Sequence, residues 1–214
     1  FEEKQVEIVH LGTNVGNITY RRPSYPVKNF ISVGRLSEKK GHLDSIKAFE
    51  KVLKNSTEAL TFQIVGEGED REKIEAFIAD QNLQDNVILV GGLPHSQVIK
   101  KLHNGDVFIL HSKSAKSGDM EGTPTVLAEA QAAGLPCLST YHSGIPEMIP
   151  EQNHRFLARE GDVNGIVDNL LELLKVSEGE LLDISKRGRQ HVEDSFDIVN
   201  ESRKFKKIYE ALCR

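Results

Sequence analysis

The sequence predicts a doubly wound α/β fold, a mostly parallel sheet with helices on both faces and a helical C-terminus. Three observations predict it. Short apolar runs rich in β-branched residues recur between residues 30 and 158. Stretches with apolar residues at helical spacing separate most of them. Beyond residue 178 the spacing stays helical and no strand run follows. Strands alternating with helices imply a parallel sheet covered on both faces, and right-handed crossovers make it doubly wound. Ligands of such folds sit beyond the carboxyl ends of the strands.

In order, residues 6–12, VEIVHLG, form a short strand or linker, and the polar, proline-rich 13–28 an irregular connection. FISVG (30–34) is the first buried-strand run. His42 to Leu53 carries Leu43, Ile46, Phe49, Val52 and Leu53 as one helical face. LTFQIVG (60–66) is a second strand, after which Asp70 caps a helix bearing Ile74, Phe77 and Ile78. NVILVG (86–91) is a third strand, followed by a short helix from Ser96 to Leu102. DVFIL (106–110) is a fourth, and a loop over 111–122 leads to the next helix. LPCLST (135–140) and HRFLA (154–158) supply two more strands. Gly161 to Leu174 is the strongest amphipathic helix, and 178–213 hold two further helices, the last one basic. The expected organisation is a linker-like 1–28, a Rossmann-like domain over 29–176, and C-terminal helices over 177–214.

The 214 residues suffice for a sizeable core. A net charge of -5 excludes a general nucleic-acid affinity. No apolar run has the length of a membrane span, and FEEKQVEIVH is not a signal peptide. Two cysteines, Cys137 and Cys213, make no disulfide framework, which suits a reducing cytoplasm. The histidines are scattered, with no zinc spacing and no Asp-x-Asp pair, so no metal site is expected. The chain begins without Met in what reads as the approach to a strand, as expected of a fragment of something longer.

The chemistry concentrates in Asp119 to Gly134, DMEGTPTVLAEAQAAG. Glu121 and Glu129 flank a helix start, with Thr123 as the expected N-cap and Pro124 at the first helical position. Gly134 and Pro136 stop that helix. Glu129 then lies roughly 9 Å along the axis from the cap and shares a face with Thr125. Between the carboxylates lie the first-turn N–H groups and the positive end of the helix dipole, an anion socket. A hydroxyl acceptor, an anion socket and a second hydroxyl acceptor match a sugar–diphosphate–ribose ligand. The alternative is two solvated glutamates beside an ordinary helix.

Other loops at the same rim carry weaker signals. GRLSEKKG (34–41) offers Gly34 for a tight turn, with Arg35 and Lys40 placed to suit a diphosphate. GEGED (66–70), with Gly66, lacks the third glycine of a dinucleotide fingerprint. GGLPH (91–95) has free backbone groups at Gly92 and Leu93, suited to a base edge or a simple turn. SGIPE (143–147) is a structural turn before a short helix, and His111 and His142 end strands as structural residues.

Together, GRLSEKKG, IVGEGEDREKIE, NVILVGGLPHSQV, GDMEGTPTVLAEAQAAGLPCLST and HSGIPEMI resemble the C-terminal half of family-four retaining glycosyltransferases (glycosyl transferases group one). The resemblance is strongest to the branch that builds exopolysaccharides of the colanic-acid type, and it covers about residues 6–175 in order. It implies one half of a GT-B fold that binds a nucleotide-sugar donor such as a UDP- or GDP-hexose, with no cofactor and no metal. Arg35 and Lys40 would hold the diphosphate and offset leaving-group charge. Glu129 would take the ribose hydroxyls and Glu121 the hexose. Thr125 and Val126, with Gly34, Gly66 and Gly122 in the surrounding loops, would present backbone to the donor, and Gly92–Leu93 would read the base. His154-Arg155 departs from the family's usual Asn-Gly before the sixth strand. The sugar or lipid-linked sugar acceptor would bind an N-terminal half absent here, toward which the last helix would pack. The full-length protein would be cytoplasmic, peripheral at the inner face of the membrane. A GT-B epimerase shares this pocket, a non-catalytic nucleotide-sugar module is a rival of another class, and an NAD domain is disfavoured by the missing G-x-G-x-x-G.

Overall fold

The computed structural model describes residues 6–213. Six strands form one parallel sheet: β1 (Asn29–Val33), β2 (Thr61–Val65), β3 (Val87–Gly91), β4 (Val107–Ile109), β5 (Cys137–Thr140) and β6 (Leu157–Ala158). Their spatial order is β3-β2-β1-β4-β5-β6. The order reverses between β1 and β4, where the connections on either side depart in opposite directions and leave a crevice.

Alternation along each strand feeds two cores. Phe30, Phe62, Ile64, Val107, Ile109 and Leu138 face one side. There they meet α1 (His42–Lys54), α2 (Arg71–Asp80) and α6 (Val163–Lys175) through Phe49, Ile74 and Leu170. Ile31, Val65, Phe108, Leu110 and Cys137 face the other. That side is covered by α3 (His95–Leu102), α4 (Thr125–Ala133) and α5 (Ile145–Met148). The long α7 (Glu178–Ser195) packs along α4, with Leu181 in the first core and Val192 in the second. The basic α8 (Ile198–Leu212) buries only Glu201 and leaves Phe205 and Tyr209 exposed.

Several expected boundaries shift. Residues 6–12 form no strand; Thr13 makes a single bridge to Asp197 instead. Within 13–28, Val15, Ile18 and Val27 are buried, so this segment is packed although irregular. The fifth strand begins at Cys137 and the sixth is only Leu157–Ala158, because 151–156 wind as a 3-10 helix before pairing begins. Asp70 is the N-cap of α2, but its backbone carbonyl, not its carboxylate, accepts from Ile74 N–H at 2.9 Å. The start of α4 moves by one residue: Pro124 is the N-cap and Thr125 the first helical position. Thr123 therefore stands one residue before the cap, with its Cγ2 2.7 Å from where a Cβ on Gly144 would be.

Candidate functional site

A cavity of about 500 Å3 opens at the carboxyl end of the sheet, between the loops after β1, β3 and β4. Val33, Gly34 and Lys40 form one wall, Leu93, His95 and Val98 another, and Glu121, Thr125, Val126 and Glu129 the third. Strand order explains the convergence, since β1 and β4 are neighbours at the crevice although 74 residues separate Val33 from Val107 (107 − 33 = 74).

Glu121 ends the loop after β4, with its side chain 9% exposed. Its Oε2 accepts from Lys40 Nζ at 3.0 Å, and Lys39 Nζ stands 3.9 Å from its Oε1. Lys40 comes from the short 3-10 turn Glu38–Lys40, which Gly41 ends in a left-handed conformation, φ 65°. A side chain at Gly41 would strike the His111 carbonyl, so only glycine brings the lysine-bearing turn this close to β4. Glu129, one turn into α4, pairs through Oε1 with His95 Nε2 at 3.0 Å. Between the carboxylates stands the α4 N-terminus, where Pro124 has no side-chain group to bond the first-turn N–H groups.

The other expected positions divide. Arg35 does not line the cavity: its side chain is 71% exposed and its Nε donates to Glu69 Oε2 at 3.0 Å. Gly66 is a backbone-packing position, φ 151°, where a Cβ would fall 1.9 Å from the Gly34 carbonyl oxygen. Gly92 and Gly122 lie in the loops beside the cavity without lining it, while Leu93 lines it. The sequence had offered no signal for His95 beyond its place in GGLPH.

Beneath the Gly34–Lys40 wall lie two fully buried imidazoles. His42 Nδ1 is 3.3 Å from Ser32 Oγ, and His111 Nδ1 is 2.9 Å from Ser45 Oγ. Burial and then the Lys40 charge lower the His42 pKa to about 4, against smaller opposing contacts from the Arg35 and Gly34 backbone. Burial and then His42 lower that of His111 to about 3. Both rings are neutral at pH 7. His142, also expected to be structural, is fully buried and bonds the Glu121 backbone. Among the described residues, no group of three or more His, Cys, Asp or Glu side chains is arranged to hold a metal ion. Nor is any described helix long and apolar enough to cross a membrane.

The family model of glycosyl transferases group 1 matches residues 25–191, a span that includes all three of these walls. The chain belongs to that family. It is 36% identical over 197 residues to an amylovoran biosynthesis glycosyltransferase of Erwinia amylovora, covering 92% of this chain and 48% of the relative. A protein of Escherichia coli strain K12, provisionally named as a colanic acid biosynthesis glycosyltransferase, is 32% identical over 212 residues, covering 98% and 52%. This glycosyl transferase group 1 chain therefore spans about half the length of those curated relatives. Its fold matches the crystal structure of the C-terminal domain of a glycosyl transferase group 1 family protein from Francisella tularensis. That match has a TM-score of 0.72 at 20% identity and covers 87% of this chain and 100% of that one.

Proposed function

We propose that this chain is the donor-binding domain of a retaining, metal-independent glycosyltransferase of polysaccharide biosynthesis, with a nucleotide sugar such as a UDP- or GDP-hexose as donor. The observation that supports this best is the order of groups along one wall: Glu121, the α4 N-terminus, then Glu129, with Lys40 facing the first. A diphosphate fits the middle, where Lys40 and the N–H groups of Thr125 and Val126 supply positive charge. Arg35 reaches it by leaving Glu69, an exposed pair that solvent screens. Those groups stabilise the charge that grows on the departing nucleoside diphosphate, the work a metal does elsewhere. Glu129 exchanges His95 for the ribose hydroxyls, Glu121 takes the hexose, and the Gly92–Leu93 turn borders the base.

The polysaccharide assignment is supported by the relatives, which are named for amylovoran and colanic acid biosynthesis. The acceptor site is assigned to an N-terminal half of the full-length protein, which the half-length coverage supports. Calorimetry of the chain with UDP, GDP and ADP tests the reading. One of them binds, and no transfer follows when the nucleotide sugar and an acceptor are added. No binding to any of the three at millimolar ligand would sink it.

A further inference from the structure

The loop 111–122 that presents Glu121 contains no helix or strand, and its own backbone bonds close only the turn between Ala115 and Asp119, so its two stems are held by contacts from neighbouring loops. Its start is tied where Glu160 Oε2 accepts from Ser114 N–H at 2.8 Å. The other oxygen of the same carboxylate, Oε1, accepts from His142 Nδ1 at 2.7 Å. His142 Nε2 in turn accepts from the Glu121 N–H at 3.0 Å, at the end of the loop. A backbone N–H can only donate, so Nε2 must carry its lone pair and the ring's proton must sit on Nδ1, facing the carboxylate.

Topology makes this chain of contacts possible. β4, β5 and β6 are adjacent, and Ser114, His142 and Glu160 each lie just beyond the carboxyl end of one of them. The 142–144 turn also packs directly under the loop, since a Cβ on Gly144 would meet Thr123 Cγ2 and the Gly122 carbonyl. Burial raises the Glu160 pKa, but the Ser114 and His142 hydrogen bonds outweigh it and the net shift is downward, keeping the acceptor ionised.

We propose that His142 and Glu160 are positioning residues for the sugar subsite. They clamp both stems of the loop so that the Glu121 carboxylate meets the hexose at a fixed height above the α4 N-terminus. The proposal rests on Glu121 being the hexose contact. It predicts that the clamp affects affinity for the sugar and not for the nucleoside diphosphate, which is read by Lys40, the first turn of α4 and Glu129 and not by the clamped loop.

The test compares UDP, GDP and ADP with UDP-, GDP- and ADP-glucose by calorimetry on the chain and three variants. His142→Phe removes both bonds and keeps a ring; it should weaken the glucose conjugate about tenfold and the parent diphosphate less than about twofold. His142→Gln returns an acceptor near the Nε2 position and should recover most of that loss. Glu160→Gln, at a side chain 33% exposed and so safer for folding, should weaken the conjugate about threefold. Nitrogen-15 spectra should show the Nδ1–H tautomer of His142 in the parent chain, and amide exchange at Glu121 should quicken in both His142→Phe and Glu160→Gln. Equal losses for conjugate and diphosphate, or unchanged Glu121 exchange in both variants, would overturn the proposal. If the parent chain binds no nucleotide or nucleotide sugar, the donor reading has failed, and the tautomer and exchange readouts alone decide whether the clamp exists.

Discussion

Lys40 Nζ lies 3.0 Å from Glu121 Oε2, joining two loops 81 residues apart by an ion pair with both side chains largely buried (14% and 9% exposed). In the proposed donor complex each of these charges takes a ligand group instead: phosphate for the lysine, hexose hydroxyls for the glutamate. Lys40→Met should leave the carboxylate with only the more distant Lys39, destabilising the chain by on the order of 1–3 kcal/mol. The double variant with Glu121→Gln should recover most of that stability in urea unfolding yet still fail to bind nucleoside diphosphate. Recovery of binding in the double variant would remove Lys40 from the phosphate site.

The two glutamates should separate by ligand. Glu129→Gln is expected to weaken nucleoside, nucleoside diphosphate and nucleotide sugar alike, whereas Glu121→Gln should weaken only the sugar-bearing ligand. The cost in each case is on the order of 1–3 kcal/mol, read by calorimetry after circular dichroism confirms folding. An identical pattern for the two variants would refute the linear layout along α4.

Arg35 begins outside the cavity, paired with Glu69. Arg35→Ala should weaken the diphosphate about tenfold and leave the free nucleoside unaffected, and Arg35→Lys should recover only part of the loss if the contact is bidentate. Equal losses for nucleoside and diphosphate would place Arg35 in folding rather than in phosphate binding.

Gly66→Ala should be one of the more destabilising single substitutions on this face, by about 2 kcal/mol or more. Its Cβ would stand 1.9 Å from the Gly34 carbonyl, at a backbone φ of 151° that alanine rarely adopts. Because Gly34 follows β1 directly at the cavity wall, the loss of stability should come with weaker diphosphate binding. A fully stable variant in thermal unfolding would show that the contact relaxes freely.

Stability should fall as pH drops from about 6.5 toward 4. His42 and His111 are held neutral in the folded chain, with pKa values of about 4 and 3, but titrate near 6.5 once unfolded. In that window the unfolded state binds more protons, so acid favours unfolding, by up to about 1.4 kcal/mol per pH unit for each ring. Glu160 and Glu201, whose pKa values are lowered, add their losses only below about 4.5, where unfolded carboxylates protonate. Urea titrations at pH 7, 6 and 5 measure the slope; a flat profile would mean that the rings gain protons without unfolding.

The strands were legible because a doubly covered parallel sheet demands continuous apolar runs, and FISVG and DVFIL are such runs. Their ends were less so, since pairing stops where a neighbour stops: LPCLST contributes only Cys137–Thr140 to the ladder. The positions of Lys40, Glu121, Thr125 and Glu129 around one cavity follow from the rule that loops after parallel strands gather at one rim. Side-chain partners do not follow from it. Lys40 with Glu121, His95 with Glu129 and Glu160 with His142 join loops from different strands, and no local spacing encodes such contacts. The helix start differs by one residue, Pro124 rather than Thr123 as the cap, because residue types at a helix terminus fix its first position only to within a residue or two.

Pro124 heads α4 where serine, threonine or aspartate would satisfy a first-turn N–H and contribute about 1 kcal/mol to the helix. A better helix start here would occupy the groups that the proposed phosphates need. Stabilising this chain by consensus helix engineering would therefore work against its ligand at this one position, and thermal stability and affinity should trade off along α4 in a way they do not along α1 or α6.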